Sequence, residues 1–507
     1  MKYLPLLALC LAFSACKERI ITRIDHIENV STDTETSSDL TKSVVRINAT
    51  SQSWNPGQPW EKNPPQSLRS LGAIVAPGQV LTSGEVVADA TYLELENPDG
   101  SRSVEAKIIA VDYESNLALL SAKNEEEGAD FFTDTTPLSL AEAPTIGDTL
   151  QAFQVEENGT TLLTSGILQS VDVSGSFLPR QAFLTYLVKA SMQSAASSFS
   201  LPVLKDGKLA GILLSYDSED QISDVLSVDV LSRFLKNAKD ETYSGFPTLG
   251  IGVARTNDPS FRDFLKLTDD QGGLYVSTVR PGGAADLAGL KKGDVVLSAG
   301  GFPIDRRGYY EHPHYGSLSW GHLVRGERSA GDEITLAILR DGEPMEITAT
   351  LTREEPGDSL VPEYQFDRAP NFLVKGGLIF QELTRPTLEA FGKDWTSVAP
   401  LNLLDAYENP EKYEDSRERV IFLSGSIPTP ATVGYERLRN LIVKKVNGIE
   451  IDSMKTLIEA FDKPGANNLH SIEFLEENFT VYLDEAISTG VDTALLQRGL
   501  TRLSRAE

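Results

Sequence analysis

Histidine is nearly missing from this chain: there are five in 507 residues, and none between Ile27 and Glu311. Any site in that stretch that relies on an imidazole base is excluded. Cysteine is scarcer still, with Cys10 and Cys16 alone, so no disulfide framework can form in the body of the protein. Positive charge is also short. Lys and Arg total 46 against 73 Asp and Glu, a formal net charge of -27. That balance excludes nucleic acid and anionic membrane surfaces as partners, since both require clustered Lys and Arg, and it reads as solubility. Beyond the first 15 residues no apolar run is long enough to span a bilayer.

What is present begins at the N-terminus. Lys2 precedes a short apolar run, Tyr3 to Phe13, which ends in Phe13-Ser14-Ala15-Cys16. Small residues before a Cys resemble the lipobox of bacterial lipoproteins, in which Cys16 would be acylated, become the mature N-terminus and anchor the protein to a membrane. An ordinary cleaved signal peptide is the alternative reading. The Ser-, Thr-, Asp- and Glu-rich stretch to about residue 40 reads as a flexible tether.

From Ser43 to about Asn237 the pattern is short strands and turns. Leu71-Gly72-Ala73-Ile74-Val75 faces Val80-Leu81-Thr82 across a Pro-Gly turn, and Asp99-Gly100 lies between Tyr92–Leu95 and Glu105–Ile109. Asp206-Gly207 joins Leu204 to Leu209–Leu213, and a helix is expected over Val228–Lys236. Strands at this spacing predict an all-β pair of barrels or a sandwich. Two later segments repeat one another: Val296 to Asp305 matches Val443 to Asp452, and each is followed by a helical stretch and an alternating hairpin, Glu333–Leu351 and Ile472–Leu483. A duplicated α+β module of about a hundred residues fits this pattern. Thr493 to Arg505 reads as a terminal helix, and Lys393 to Arg419 as a long polar insertion.

These residues resemble the Deg/HtrA family, a trypsin-like protease domain followed by PDZ domains. Leu71 to Asp89 is similar to the strand pair that ends in the family's catalytic histidine, Val111 to Leu120 to the segment carrying its aspartate, and Ala196 to Leu201 to its nucleophile loop. Gly272 to Val276 and Pro281 to Val296 match a PDZ domain densely, and His312 to Gly316 with Gly434 to Leu438 are most similar to the subgroup with a divergent second PDZ. The resemblance implies a multidomain fold: an all-β chymotrypsin-like double barrel followed by two α+β PDZ domains. It divides the chain into a signal peptide 1-15, tether 16-40, degenerate protease domain 41-240, first PDZ 241-355, second PDZ 356-486 and helical tail 487-507.

Carried over by position, the catalytic triad fails. The histidine position holds Glu85 and the aspartate position Asn116; only Ser198 keeps its identity, and the two glycines after it are Phe199 and Ser200. A serine hydroxyl needs a base that titrates near working pH, and an unperturbed glutamate titrates at about 4.3 against about 6.5 for histidine. Each lost oxyanion donor costs on the order of a hundred- to a thousandfold in rate. Three altered parts of one machine point to lost catalysis. The competing arrangement is a Ser-Glu pair, Ser83 or Ser198 with Glu85. His312, His314 and His322 lie near one another in sequence, but Pro313 between two of them and the absence of a nearby Cys predict loop packing. Neither metal nor cofactor is expected.

Binding is what survives. A PDZ domain adds a peptide strand to a sheet edge and holds its terminal carboxylate on backbone amides. The resemblance places that loop and strand at Leu249, Gly250, Ile251 and Gly252, and the facing helix at Leu318 to Arg325, with Trp320, Leu323 and Val324 as the side-chain pocket. The expected protein is a periplasm-facing lipoprotein of the bacterial cell envelope, a catalytically silent scaffold, chaperone-like holder or regulator. Peptides or unfolded C-termini would bind through the first PDZ. The resemblance further implies a homo-oligomer, a trimer or a multiple of one, or a complex with active relatives. The alternatives are an active serine endopeptidase with a displaced base and a structural subunit of an envelope assembly.

Overall fold

A computed structural model describes residues 40–156, 158–192, 200–239, 243–354, 357, 359–476 and 479–507. Cys16, the signal peptide, the tether before Leu40, and Ser198 with Phe199 lie outside the described residues.

Two six-stranded barrels come first. β1 (Val44–Ser51), β2 (Gln66–Ala76), β3 (Gln79–Thr82), β4 (Ala90–Glu96), β5 (Ser103–Asp112) and β6 (Leu117–Ala122) close in the order β1-β2-β3-β6-β5-β4. β7 (Thr149–Val155), β8 (Thr161–Gly175), β9 (Ala182–Lys189), β10 (Pro202–Lys205), β11 (Lys208–Asp217) and β12 (Ile222–Ser227) close in the order β10-β11-β12-β9-β8-β7. Alternation explains the inward faces: Ile47, Ile74, Leu95 and Leu120 fill the first barrel, and Phe153, Leu168, Tyr186 and Leu226 the second. Closure leaves neither sheet an edge. The double barrel is the chymotrypsin-like arrangement that the resemblance implies. The β10–β11 hairpin turns at Asp206 and Gly207, both left-handed with φ 52° and 73°, as a two-residue type I′ turn demands. The helix Val228–Asn237 follows β12 and buries Val230, Leu231 and Phe234 against the second barrel.

The first α+β module contains β13 (Ile251–Arg255), β14 (Leu274–Val279), β15 (Val295–Ala299), β16 (Phe302–Pro303), β17 (Tyr309–His312), β18 (Gly316–Ser319), β19 (Glu333–Arg340) and β20 (Glu343–Thr350). Its main sheet runs β13-β14-β15-β19-β20, with β16 on β15, while β17 and β18 form a separate hairpin. The second module contains β21 (Phe372–Lys375), β22 (Leu378–Glu382), β23 (Ile421–Ser426), β24 (Leu441–Val446), β25 (Ile449–Glu450), β26 (Leu469–Phe474), β27 (Thr480–Asp484) and β28 (Ser504–Arg505). Its order is β27-β26-β24-β23-β22-β21-β28, with β25 on β24. The repeat seen in sequence falls on β15–β16 and β24–β25.

Two local expectations are corrected. The helix expected over Leu318 to Arg325 is only Gly321–Arg325, because Leu318 lies in β18 opposite Tyr310. The helix expected over Thr493 to Arg505 is instead Glu485–Gln497, and its tail becomes a strand. Asp484 caps its start by accepting the Ile487 N–H at 2.8 Å, and Gly499, at φ 106°, follows its end. The polar insertion carries helices of its own. Its helix Leu401–Glu408 presents Leu403, Ala406 and Tyr407 on one face, and these pack with Leu383, Leu388, Trp395 and Val420 in a separate apolar cluster.

Candidate functional site

The turn Gly84–Val86 that follows β3 carries Glu85, and the β5–β6 loop carries Asn116 in a left-handed conformation, φ 56°. The two positions meet: the Glu85 backbone N–H donates to Asn116 Oδ1 at 2.9 Å. Burial holds the Glu85 carboxyl above the ordinary glutamate range, and hydrogen bonds from Asn116 and Ser83 only partly offset it. Ser83 Oγ in turn contacts Ser200 Oγ across the barrel interface. Ser200, at φ 56°, stands where the family has a glycine, which takes that backbone conformation without penalty.

A chain of hydroxyls therefore links Ser200 through Ser83 to Glu85. Such a chain can pass a proton to a carboxylate of raised basicity, but it must also be reached by a substrate. Ser83 and Ser200 are each only 1% exposed. The arrangement ties one barrel to the other with both hydroxyls buried, while Glu85 keeps part of its surface accessible. The sequence pairs Ser83 with Glu85 and marks Ser200 as a serine at a glycine position, but it gives no sign that the two serines meet.

The residues expected to bind peptide, Leu249 to Gly252, lie at and just before the start of β13. Gly250 has φ 70°, and a Cβ there would lie 3.4 Å from Arg280 Cβ, so any other residue is strained. β13 is the edge strand of its sheet and, among the described residues, pairs only with β14. Leu249, Leu323 and Val324 are buried in the core, which leaves Gly250, Ile251, Gly252 and Trp320 as the partly accessible members of the predicted set. Leu323 and Val324 pack in the interior of the module.

The second module is closed at the matching place. With β24 corresponding to β15, sheet order makes β23 the counterpart of β14 and β22 that of β13. The edge of β22 is already paired with β21, and β21 with β28. The Gly376 N–H, in the loop before β22, donates to Asp492 Oδ1 at 2.7 Å. Lys375 reaches Glu485 at 2.8 Å and Asp492 at 3.7 Å, and buried His470 sits 2.5 Å from Glu485. Burial works against the Glu485 carboxylate, but hydrogen bonds from Lys375, His470 and Thr489 bring it down to about 2. Own side chains and own strands fill the positions where a peptide would add.

His312, His322 and Glu327 converge, with one potential ligand atom each and all within 4.8 Å of one another. The geometry does not suit a metal. His312 Nδ1 accepts the N–H groups of His314 (3.1 Å) and Tyr315 (3.2 Å), which puts its proton on Nε2, 3.4 Å from Glu327 Oε1. An Nε2–H has no lone pair to offer. His322 Nδ1 lies 2.7 Å from the Tyr310 hydroxyl, and burial pushes this imidazole down to about 4, so it stays neutral. The cluster is a hydrogen-bonded brace for the β17–β18 hairpin.

Models of the PDZ domain family match residues 247–351 and 361–499. Protease Do-like 4, mitochondrial, of Arabidopsis thaliana is 26% identical over 405 residues, covering 79% of this chain and 73% of that protein. Periplasmic serine endoprotease DegP of Escherichia coli (strain K12) is 26% identical over 294 residues, covering 56% of this chain and 58% of that protein. Among solved structures, a variant of the HtrA-type protease AlgW with decapeptide superposes with a TM-score of 0.50 at 18% identity, covering 64% of this chain and 98% of that one, a likeness of fold.

Proposed function

Because this chain is built as a Deg/HtrA protein, two PDZ domains behind a chymotrypsin-like double barrel, we propose that its work is to hold peptides without cutting them. The observation that carries this reading is the pairing of Glu85 with Asn116 at the position of the family's histidine and aspartate, beside a Ser83–Ser200 contact sealed from solvent. A base of this kind has no imidazole to become a cation, and its orienting partner is a neutral amide. The open β13 edge and the Gly250 loop supply the surface for an extended peptide. The lipobox at Cys16 supports attachment to an envelope membrane with the domains facing the periplasm, and the resemblance supports a trimer, which native mass spectrometry of the soluble form would count. Among the described residues no helix is long and apolar enough to cross a membrane.

Two measurements test the reading. Purified protein and its Ser198→Ala variant should leave casein equally intact; serine-dependent cleavage would establish the second reading, an endopeptidase with Glu85 as base, which the raised Glu85 carboxyl favours. A labelled decapeptide with an apolar C-terminal residue should bind saturably, and Gly250→Glu should weaken it at least tenfold with the melting temperature of the barrels retained. Unchanged affinity would place the ligand elsewhere.

A further inference from the structure

The stretch ahead of β21 folds back onto the barrels. Tyr364 and Phe366, at the start of the second PDZ match, pack on the first barrel beside the loops that carry Glu85 and Asn116. Tyr113, three residues before Asn116, receives both rings, with centroids 4.7 Å from Phe366 and 5.7 Å from Tyr364. Phe177, from the β8–β9 loop of the second barrel, stacks on Phe366 at 5.5 Å and 20°. The neighbouring carboxylate is held as specifically as the rings. Asp367 accepts the Tyr113 hydroxyl and, at 3.0 Å, the Asp89 N–H. Asp89 returns the contact by accepting the Asp367 N–H at 2.9 Å.

We propose that this cleft is a binding site for an extended aromatic–acidic peptide of the pattern Tyr-x-Phe-Asp, and that residues 364–367 of the chain fill it in cis. Each part of the pattern has a distinct receptor. The two aromatic side chains require a pocket of rings contributed by both barrels, since offset and edge contacts between rings add to the area they bury. The carboxylate requires a phenol and a backbone amide, a charge-assisted pair of donors. Each of the reciprocal Asp89–Asp367 contacts runs from a backbone N–H to the other residue's carboxylate, so the site meets one main-chain amide of the bound segment as well as its side chains. Tyr113 and Asp89 flank the degenerate triad positions in sequence, three residues before Asn116 and four after Glu85. The site is separate from the β13 edge, so it stands or falls independently of peptide binding there. A client segment carrying the same pattern would compete with the chain's own residues for it.

The test uses the full chain with Tyr364→Ala, Phe366→Ala and Asp367→Ala combined, and a labelled synthetic peptide of residues 362–369. The emptied variant should bind the peptide saturably, the unaltered protein at least tenfold more weakly, and Tyr113→Ala added to the variant should abolish binding. A cooperatively folded variant that ignores the peptide, or binds it equally well without the Tyr113 ring, overturns the proposal. Should the triple variant not fold, hydrogen exchange on the unaltered protein decides the matter: the Asp89 and Asp367 amides should be protected well beyond loop amides, and exchange at loop rates rejects the site.

Discussion

Arg325→Ala should destabilise the protein by about 2–4 kcal/mol at neutral pH, a larger loss than a surface arginine can cause. Arg325 projects from the short helix of the first PDZ domain and reaches both barrels. It meets Glu114 at 2.5 Å, donates to Gln181 Oε1, and lies 4.7 Å over the ring of Phe183. Glu114 is largely buried, and burial already holds its carboxyl above the ordinary range despite the attraction of Arg325. Removing the guanidinium leaves that carboxylate without its partner. An acid whose folded pKa is raised binds its proton more readily when folded, so its cost is fully felt above that pKa and relieved as pH falls toward the unfolded value of about 4.5. The deficit of Arg325→Ala should therefore shrink between neutral pH and pH 5, and Glu114→Gln in the same background should recover part of it. Thermal melts of the three proteins at two pH values check this. A pH-independent deficit would mean that the arginine contributes only its packing.

The second large effect belongs to Trp60. This residue lies in the long β1–β2 connection of the first barrel yet packs with Phe372, Val374, Ile379, Val491 and Leu495 of the second PDZ domain. Its backbone carbonyl accepts the Thr501 hydroxyl at 3.0 Å, and nearby Trp54 lies 4.5 Å under the guanidinium of Arg505. Trp60→Ala should cost about 3 kcal/mol, the range for truncating a buried tryptophan. It should also free the segment after Gln497, read as faster tryptic cleavage at Arg498 and Arg502. Trp60→Phe should keep most of the contact. Cleavage of the alanine variant at the unaltered rate would show that β28 holds without the indole.

What could be read in the sequence, and what could not, follows from the range of each signal. The Asp206-Gly207 turn and the repeated Val296 and Val443 segments are local patterns with local causes, and the structure contains both. Glu85 and Asn116 were legible as substitutions because each sits in a recognisable strand–turn context, and the structure brings them together. The contact of Ser200 with Ser83 was not, since the two lie 117 residues apart and nothing near either residue specifies the meeting. The covering of β22 by β21 was also hidden. Phe372–Lys375 is an apolar run like many others, and only the order of the whole sheet gives it its place. In residues 393–419 the polar composition masked the 3.6-residue spacing of Leu403, Ala406 and Tyr407. Tyr364 and Phe366 lie ahead of β21 in a stretch with neither helical nor strand periodicity, so nothing local betrays their receptor.

The Thr501–Trp60 bond also sets a timetable. Its two residues are 441 apart in the chain, so it cannot form until nearly everything between them has been synthesised. The double barrel can close early, because the pairings that complete it lie within residues 44 to 227. The second PDZ sheet lacks its outermost strand until the last residues arrive, and until then β21 is an unguarded edge able to pair with another chain. Contacts of such separation are slow to find. The hazard of this architecture is thus concentrated in a late interval of folding, when the first barrel is ready and the strand that belongs beside β21 has yet to be delivered.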